Sequence, residues 1–143
     1  MIYKEVVRDL FSVPQGYYLA HCISADYALG AGIAKIFNEV YNMRHKLHRD
    51  YGQFNGDEAV GHALLVENVF NLVTKEGCYM KPTYDTLREA LIDMRKQCEE
   101  MELLRIAMPL IGCGLDGLEW DKVKEIIKET FNDTDIKILI CKL

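Results

Sequence analysis

Apolar and polar residues follow two rhythms along this chain. Short apolar runs at 2–7, 17–23, 60–66, 68–74, 103–109 and 136–142 read as β-strands. The Glu67-Asn68 junction between the third and fourth runs has the length of a tight turn, which predicts an antiparallel hairpin. Elsewhere the period lengthens to that of a helix. Ile33, Ile36, Phe37 and Val40 form one stripe, and Trp120, Val123, Ile127 and Phe131 form another. Between them Leu87, Ala90, Leu91, Met94, Cys98 and Met101 recur behind a candidate N-cap, Thr83. Three helices are therefore predicted, each turning its stripe to a sheet and carrying no functional role in it. Helices before and between strands, with one hairpin, imply an α/β fold in which a mixed sheet is covered on both sides.

Composition narrows the picture. The chain has 143 residues, half of them hydrophobic, and no repeat, low-complexity stretch or linker divides it. One compact domain over 1–143 is the expectation. With 22 acidic and 17 basic side chains the net charge is -5, and no Lys/Arg-rich run reverses it. Nucleic acid is thus a poor primary partner, and a phosphate-bearing ligand must find its counter-charge locally, in backbone N–H groups and helix N-termini. The start of the chain lacks a secretion-signal pattern, and no apolar run is long enough for a membrane span. Cys22, Cys78, Cys98, Cys113 and Cys141 are odd in number and scattered, so disulfides and structural zinc both read poorly. A reduced, cytoplasmic protein without membrane contact is expected, its oligomeric state left open.

Two glycine loops carry the candidate chemistry. Gly112-Cys113-Gly114-Leu115-Asp116-Gly117 follows a strand and precedes the Trp120 helix. Glycines there let the backbone turn sharply and approach a ligand, and a helix N-terminus offers N–H donors to phosphate oxygens. The pattern fits G-x-G-x-x-G, but the acidic residue a dinucleotide site needs at the end of the next strand is absent, since that strand ends Ile140-Cys141-Lys142-Leu143. Leu29-Gly30-Ala31-Gly32-Ile33-Ala34 likewise joins a strand to a helix. Two such loops at strand ends can clamp one diphosphate from opposite sides. Cys22 and Cys113 are possible nucleophiles, but packing is the simpler role for both. His21 adjoins Cys22 and so points to the opposite face of its strand. His45 and His48 lack the further ligands of a metal site and read as solvated, so no metal is called.

Further blocks join these loops in order: His21-Cys22-Ile23-Ser24, Thr74-Lys75, Lys81-Pro82-Thr83-Tyr84, and Pro109-Leu110-Ile111-Gly112-Cys113-Gly114-Leu115-Asp116. Together with Asp9-Leu10-Phe11 near the start, they resemble the macrodomain superfamily, and within it the branch of the terminal ADP-ribose protein glycohydrolase. The resemblance implies a three-layer α/β/α fold holding ADP-ribose, free or on a modified protein, and calls for no cofactor. By position it implies that Asp9 accepts a hydrogen bond from the adenine amino group, with Leu10 and Leu143 lining that end. Gly30, Ala31, Gly32, Ile33 and Ala34 on one side, and Leu110, Ile111, Gly112, Cys113, Gly114 and Leu115 on the other, would surround the diphosphate. Ser24 would lie near the distal ribose, Lys75 would be the nucleophile, and Asp116 its acid/base partner. Lys35 and Lys81 do not match the nucleophile's position. Arg8 stands where a glycine is usual, Glu76-Gly77 follow Lys75 where relatives look more basic, and the asparagine-rich loop of many other macrodomains is absent.

The chemistry is coherent in its own terms. An anomeric carbon bearing an acyl leaving group is electrophilic, and a neutral amine can attack it to give a covalent, Schiff-base-capable intermediate. A carboxylate can take the amine's proton and later help water release the sugar. Hydrolysis of the bond between ADP-ribose and a carboxylate is the first expectation. A non-catalytic ADP-ribose reader, or removal of ADP-ribose from a nucleobase, stands behind it. A nicotinamide-dependent oxidoreductase is a more distant reading, disfavoured by the missing ribose-binding acid.

Overall fold

Successive strand residues face opposite sides of a sheet, and here both sets are apolar, so the sheet must be covered twice. The computed structural model, which describes residues 1–143, shows how. Six strands, β1 (Ile2–Val7), β2 (Tyr18–Ser24), β3 (Ala63–Val66), β4 (Val69–Lys75), β5 (Arg105–Met108) and β6 (Lys137–Lys142), form one sheet in the order β1-β6-β5-β2-β4-β3. Every neighbouring pair is parallel except β3–β4, the predicted hairpin. Its turn is the two residues Glu67 and Asn68, with Glu67 at φ 54° and Val66 opposite Val69.

Four helices make the outer layers, α1 (Gly32–Tyr41), α2 (Met43–Tyr51), α3 (Tyr84–Met101) and α4 (Trp120–Phe131). Ala20, Phe70, Leu72, Ile106, Met108, Ile138 and Ile140 pack with the buried stripes of α3 and α4. The alternate residues, among them Leu19, Ile23, Val69, Val73, Ala107 and Leu139, pack with Phe37 of α1 and with Met43 and Leu47 of α2. Thr83 caps α3, its hydroxyl oxygen accepting from the Thr86 N–H at 3.1 Å, while Thr86 Oγ1 accepts from the Thr83 N–H at 3.1 Å. No helix is long and apolar enough to cross a membrane.

Several expectations are corrected. Four helices stand where three were predicted. The segment after Asn42, a left-handed residue at φ 54°, forms α2, whose only buried residues are Met43 and Leu47. Two apolar residues four apart in a polar stretch are too thin a stripe to read. His45 and His48 lie on its exposed face. The third strand begins at Ala63, because residues 59–62 form a turn closed by the His62 N–H donating to the Ala59 carbonyl. Met101 is 46% exposed rather than part of the α3 stripe, and in α1 only Phe37 is fully buried. Ile36 faces a cleft instead of the sheet, and Ile33 lines the same cleft while packing against the core beneath α1.

Candidate active site

A cleft of about 850 Å³ opens where the five parallel strands end at their carboxyl edges. Ligands of open α/β sheets bind at such edges. The strand order sets the order of groups along the cleft. Arg8 and Asp9 follow β1, Lys142 and Leu143 end β6, and Pro109 to Asp116 follow β5. Ser24 to Ala34 lie at the end of β2, and Lys75 closes β4. Four inter-strand steps separate the first of these from the last, roughly 19 Å across the sheet.

All seventeen residues named from the sequence as candidate site residues line this cleft. At the β1 end, Asp9 caps a short turn, Leu10–Ser12, its Oδ1 accepting from the Phe11 N–H at 3.0 Å. Asp9 Oδ2 accepts no hydrogen bond from within the chain. Leu10 is buried under this end, whereas Leu143 is 95% exposed at its rim. The Arg8 guanidinium turns back onto Ser12, donating to its carbonyl at 2.6 Å and to its Oγ at 3.0 Å.

Mid-cleft, Gly32 is the first residue of α1, and no side chain caps that helix. The N–H groups of Gly32, Ile33 and Ala34 are therefore unspent at its positive end. The second loop behaves differently from expectation. It winds into a one-turn 3-10 helix, Gly114–Asp116, and α4 starts only at Trp120, outside the cleft. Its donors to a ligand must come from this turn and not from α4. Gly112, Gly114 and Gly117 sit at φ 73°, 70° and 79°, which explains why glycines stand there. Leu115 arches back across the cleft, its Cδ1 4.0 Å from where a Cβ on Gly32 would lie.

At the β4 end, Lys75 Nζ donates to Asp116 Oδ1 at 2.8 Å, with side chains 15% and 18% exposed. A bulge sets this geometry. Ile23 lies opposite Val73 but Ser24 opposite Lys75, so Thr74 is an extra residue on β4. Its carbonyl accepts from Thr86 Oγ1 at 2.6 Å, which pins the bulge to the first turn of α3. Ser24 Oγ donates to Asp26 Oδ1, and Asp26 Oδ2 accepts from the Cys78 N–H at 2.9 Å. Partial desolvation would raise the Asp26 carboxyl, but the donors Ser24, Cys78 and Ala28 outweigh it and hold it below the usual carboxylate value. This carboxylate ties the end of β2 to the segment after β4, and no sequence pattern announced it.

The thiols are poor nucleophiles. Burial, with the Asp116 charge adding to it, pushes Cys22 up to about 12, and the same two causes raise Cys113. Neither is fully buried as a residue, and both line the cleft rather than only filling the core. Sequence reasoning also missed the cleft's charge. Arg8, Lys75, Lys81 and Lys142 line the cleft beside Asp9 and Asp116 in a chain of net charge -5, although the Lys142 ammonium is held by Glu5 at 3.1 Å. Backbone donors are thus not the sole counter-charge for an anionic ligand. Tyr79, Met80 and Lys81 form the outer rim, and Lys81 Nζ donates to the Leu115 carbonyl.

Comparison with known proteins bears on this geometry. The family model described as Macro domain matches residues 27–127. The human protein named ADP-ribose glycohydrolase OARD1 is 37% identical over 142 residues, covering 96% of this chain and 90% of its own. Among solved structures, the macrodomain of Mycobacterium tuberculosis DarG superposes with a TM-score of 0.87 at 20% identity, covering 98% of this chain and 97% of that one. Thermosipho africanus DarTG, solved in complex with ADP-ribose, matches with a TM-score of 0.71 at 17% identity, over 94% of this chain and 39% of that one.

Proposed function

The chain belongs to the macrodomain family, and we propose that, as one domain over 1–143, it binds ADP-ribose along the cleft and hydrolyses the bond joining the distal ribose to a carboxylate. The observation that carries this reading is the Lys75–Asp116 pair, 2.8 Å apart at one end of a cleft with glycine loops at its middle. Binding alone requires neither residue. That relatives 37% identical to this chain are named ADP-ribose glycohydrolase supports the same activity.

Adenine lies at the Asp9 end, the diphosphate between Gly30–Ala34 and Leu110–Leu115, and the distal ribose beside Ser24 and Lys75. Asp116 takes a proton from the Lys75 ammonium, and the neutral amine attacks the anomeric carbon. A carbon–nitrogen bond forms as the carbon–oxygen bond to the acyl group breaks, and the carboxylate leaves with the electron pair. The attacking nitrogen, now a secondary ammonium, loses a proton to solvent. Its lone pair then opens the sugar ring to a Schiff base, and the protonated Asp116 gives its proton to the ring oxygen and returns to its ionised form. It then acts as base towards the water that displaces the lysine nitrogen. Free ADP-ribose and a free carboxylate are the products, and Lys75 regains its proton.

The test uses ADP-ribosylated glutamyl protein, an acyl-ADP-ribose and an ADP-ribosylated nucleobase as separate substrates, with mass analysis of the nucleotide released in heavy-oxygen water. Label on the released ribose, and no turnover by Lys75→Ala, are expected with the two carboxylate substrates. Label on the carboxylate instead would overturn the mechanism, and calorimetry showing no ADP-ribose binding would overturn the function. Turnover of the nucleobase substrate alone would replace the carboxylate specificity.

A further inference from the structure

We propose that Lys81 is a positioning residue for this reaction, holding the turn that carries Asp116 in place after Lys75 has let go of it. The inference rests on the function proposed above and adds a residue that the mechanism so far does not use.

The turn has little of its own to hold it. Gly112, Gly114 and Gly117 all occupy the left-handed region, Gly114, Leu115 and Gly117 are exposed, and no side chain caps the turn at Cys113. Inside the loop, the Gly117 N–H donates to the Gly114 carbonyl at 3.0 Å and the Leu118 N–H to the Gly112 carbonyl at 2.9 Å. These bonds shape the turn without fixing where it points. Besides the packing of Cys113 and Leu118 on the core, side-chain hydrogen bonds from the stretch 75–84, which runs from the end of β4 to the start of α3, hold the loop at three places. Lys75 Nζ donates to Asp116 Oδ1, Lys81 Nζ donates to the Leu115 carbonyl, and Tyr84 OH accepts from the Glu119 N–H at 3.0 Å. Lys81 has a firm base, since Pro82 beside it is buried and Thr83 is locked in the cap of α3.

Catalysis removes the first tie. Once Lys75 is bonded to the sugar it is no longer the ammonium that pairs with Asp116. That is the stage at which the carboxylate must stand ready to activate water. The Glu119 bond is three residues away, beyond the Gly117 hinge. The Lys81 bond, on the carbonyl adjoining Asp116, is then the one side-chain hydrogen bond left on its side of that hinge. Lys81 therefore serves the second half of the reaction, release of the sugar, more than the first.

The test is a comparison of Lys81→Met, Lys81→Arg and unmodified protein on a carboxylate-linked ADP-ribose substrate that the unmodified protein turns over. Three readouts are taken: kcat, ADP-ribose affinity by calorimetry, and the fraction of Lys75 trapped as a sugar adduct by borohydride during turnover. Lys81 is exposed, so the melting temperature should hold. Lys81→Met should lower kcat about tenfold, as expected for a lost charge-assisted hydrogen bond, raise the trapped fraction, and leave affinity nearly unchanged. Lys81→Arg, which keeps a donor at that height, should restore kcat and keep the adduct low. An unchanged kcat overturns the proposal, as does a lower kcat without more adduct, or adduct accumulation equal in both variants. Weakened affinity at constant kcat would instead make Lys81 a direct ligand contact. Absence of turnover by the unmodified protein would fail the proposed function, a separate outcome.

Discussion

Acidification offers a quantitative test of the layer beneath the cleft. His21 lies fully buried on β2, its ring stacked on Phe37 with centroids 3.9 Å apart. Its Nε2 is 2.6 Å from Asn71 Oδ1, on the β4 residue directly opposite. Asn71 spends its amide on the Leu64 carbonyl at 3.0 Å, so its oxygen faces His21 and Nε2 carries the proton. Nδ1 is buried with no partner, and a proton there would be a charge without an acceptor. Burial accordingly lowers His21 from 6.5 to about 4. Between those values the folded protein holds fewer protons than the unfolded chain. The stability is complete above pH 6.5 and is lost as pH falls towards 4. The difference amounts to about 3 kcal/mol in full and about 2 kcal/mol by pH 5. Urea unfolding at pH 8, 6.5 and 5 reads it directly, and stopping at pH 5 keeps most carboxylates ionised. His21→Gln, which keeps a donor towards Asn71 and cannot be protonated, should lose little over the same range. The reasoning fails if that variant is as acid-sensitive as the unmodified protein.

Other expectations follow from single residues. Lys75→Ala should abolish turnover yet bind ADP-ribose nearly as before, and Lys75→Arg should fail too, because a guanidinium stays protonated; kinetics with calorimetry decide both. Asp116→Ala should slow attack and release, and mass spectrometry after borohydride should still find sugar on Lys75 if any attack survives. Asp9→Ala should erase a preference for ADP-ribose over its inosine analogue, a loss of roughly 1.5–3 kcal/mol, and equal affinities in the unmodified protein would refute the adenine assignment. In Gly114→Val the new Cβ meets no protein atom within 4 Å, but the residue must hold φ 70°. It should lose about 1–2 kcal/mol of stability from that strain and lose ADP-ribose binding altogether, read by melting and calorimetry.

The chain's own pattern determined the layers. Both faces of its strands are apolar, and three strong helical stripes say that helices cover them, because burial of apolar surface depends on periodicity that any stretch of sequence displays. The hairpin at Glu67-Asn68 was legible for the same reason, since a two-residue connection leaves only one way to return. The resemblance in motifs, and not periodicity, named the site residues, and the structure gathers all of them around one cleft. Weak local signals went unread: α2 hides two buried residues among polar ones, and Ile36 obeys a helical period while facing the cleft mouth.

Only the tertiary structure decided what meets what. Lys75 and Asp116 are 41 residues apart in sequence and 2.8 Å apart in space. That pairing depends on the strand order and on a single extra residue, Thr74, which re-aims the end of β4. The ties at Asp26 and Lys81 join segments 52 and 34 residues apart. The basic residues Arg8, Lys75 and Lys81 meet around the cleft because separate segments end at one sheet edge. Periodicity is written locally and survives in one dimension. Register, loop direction and charge juxtaposition are properties of distances between remote segments, which exist only once the chain has packed.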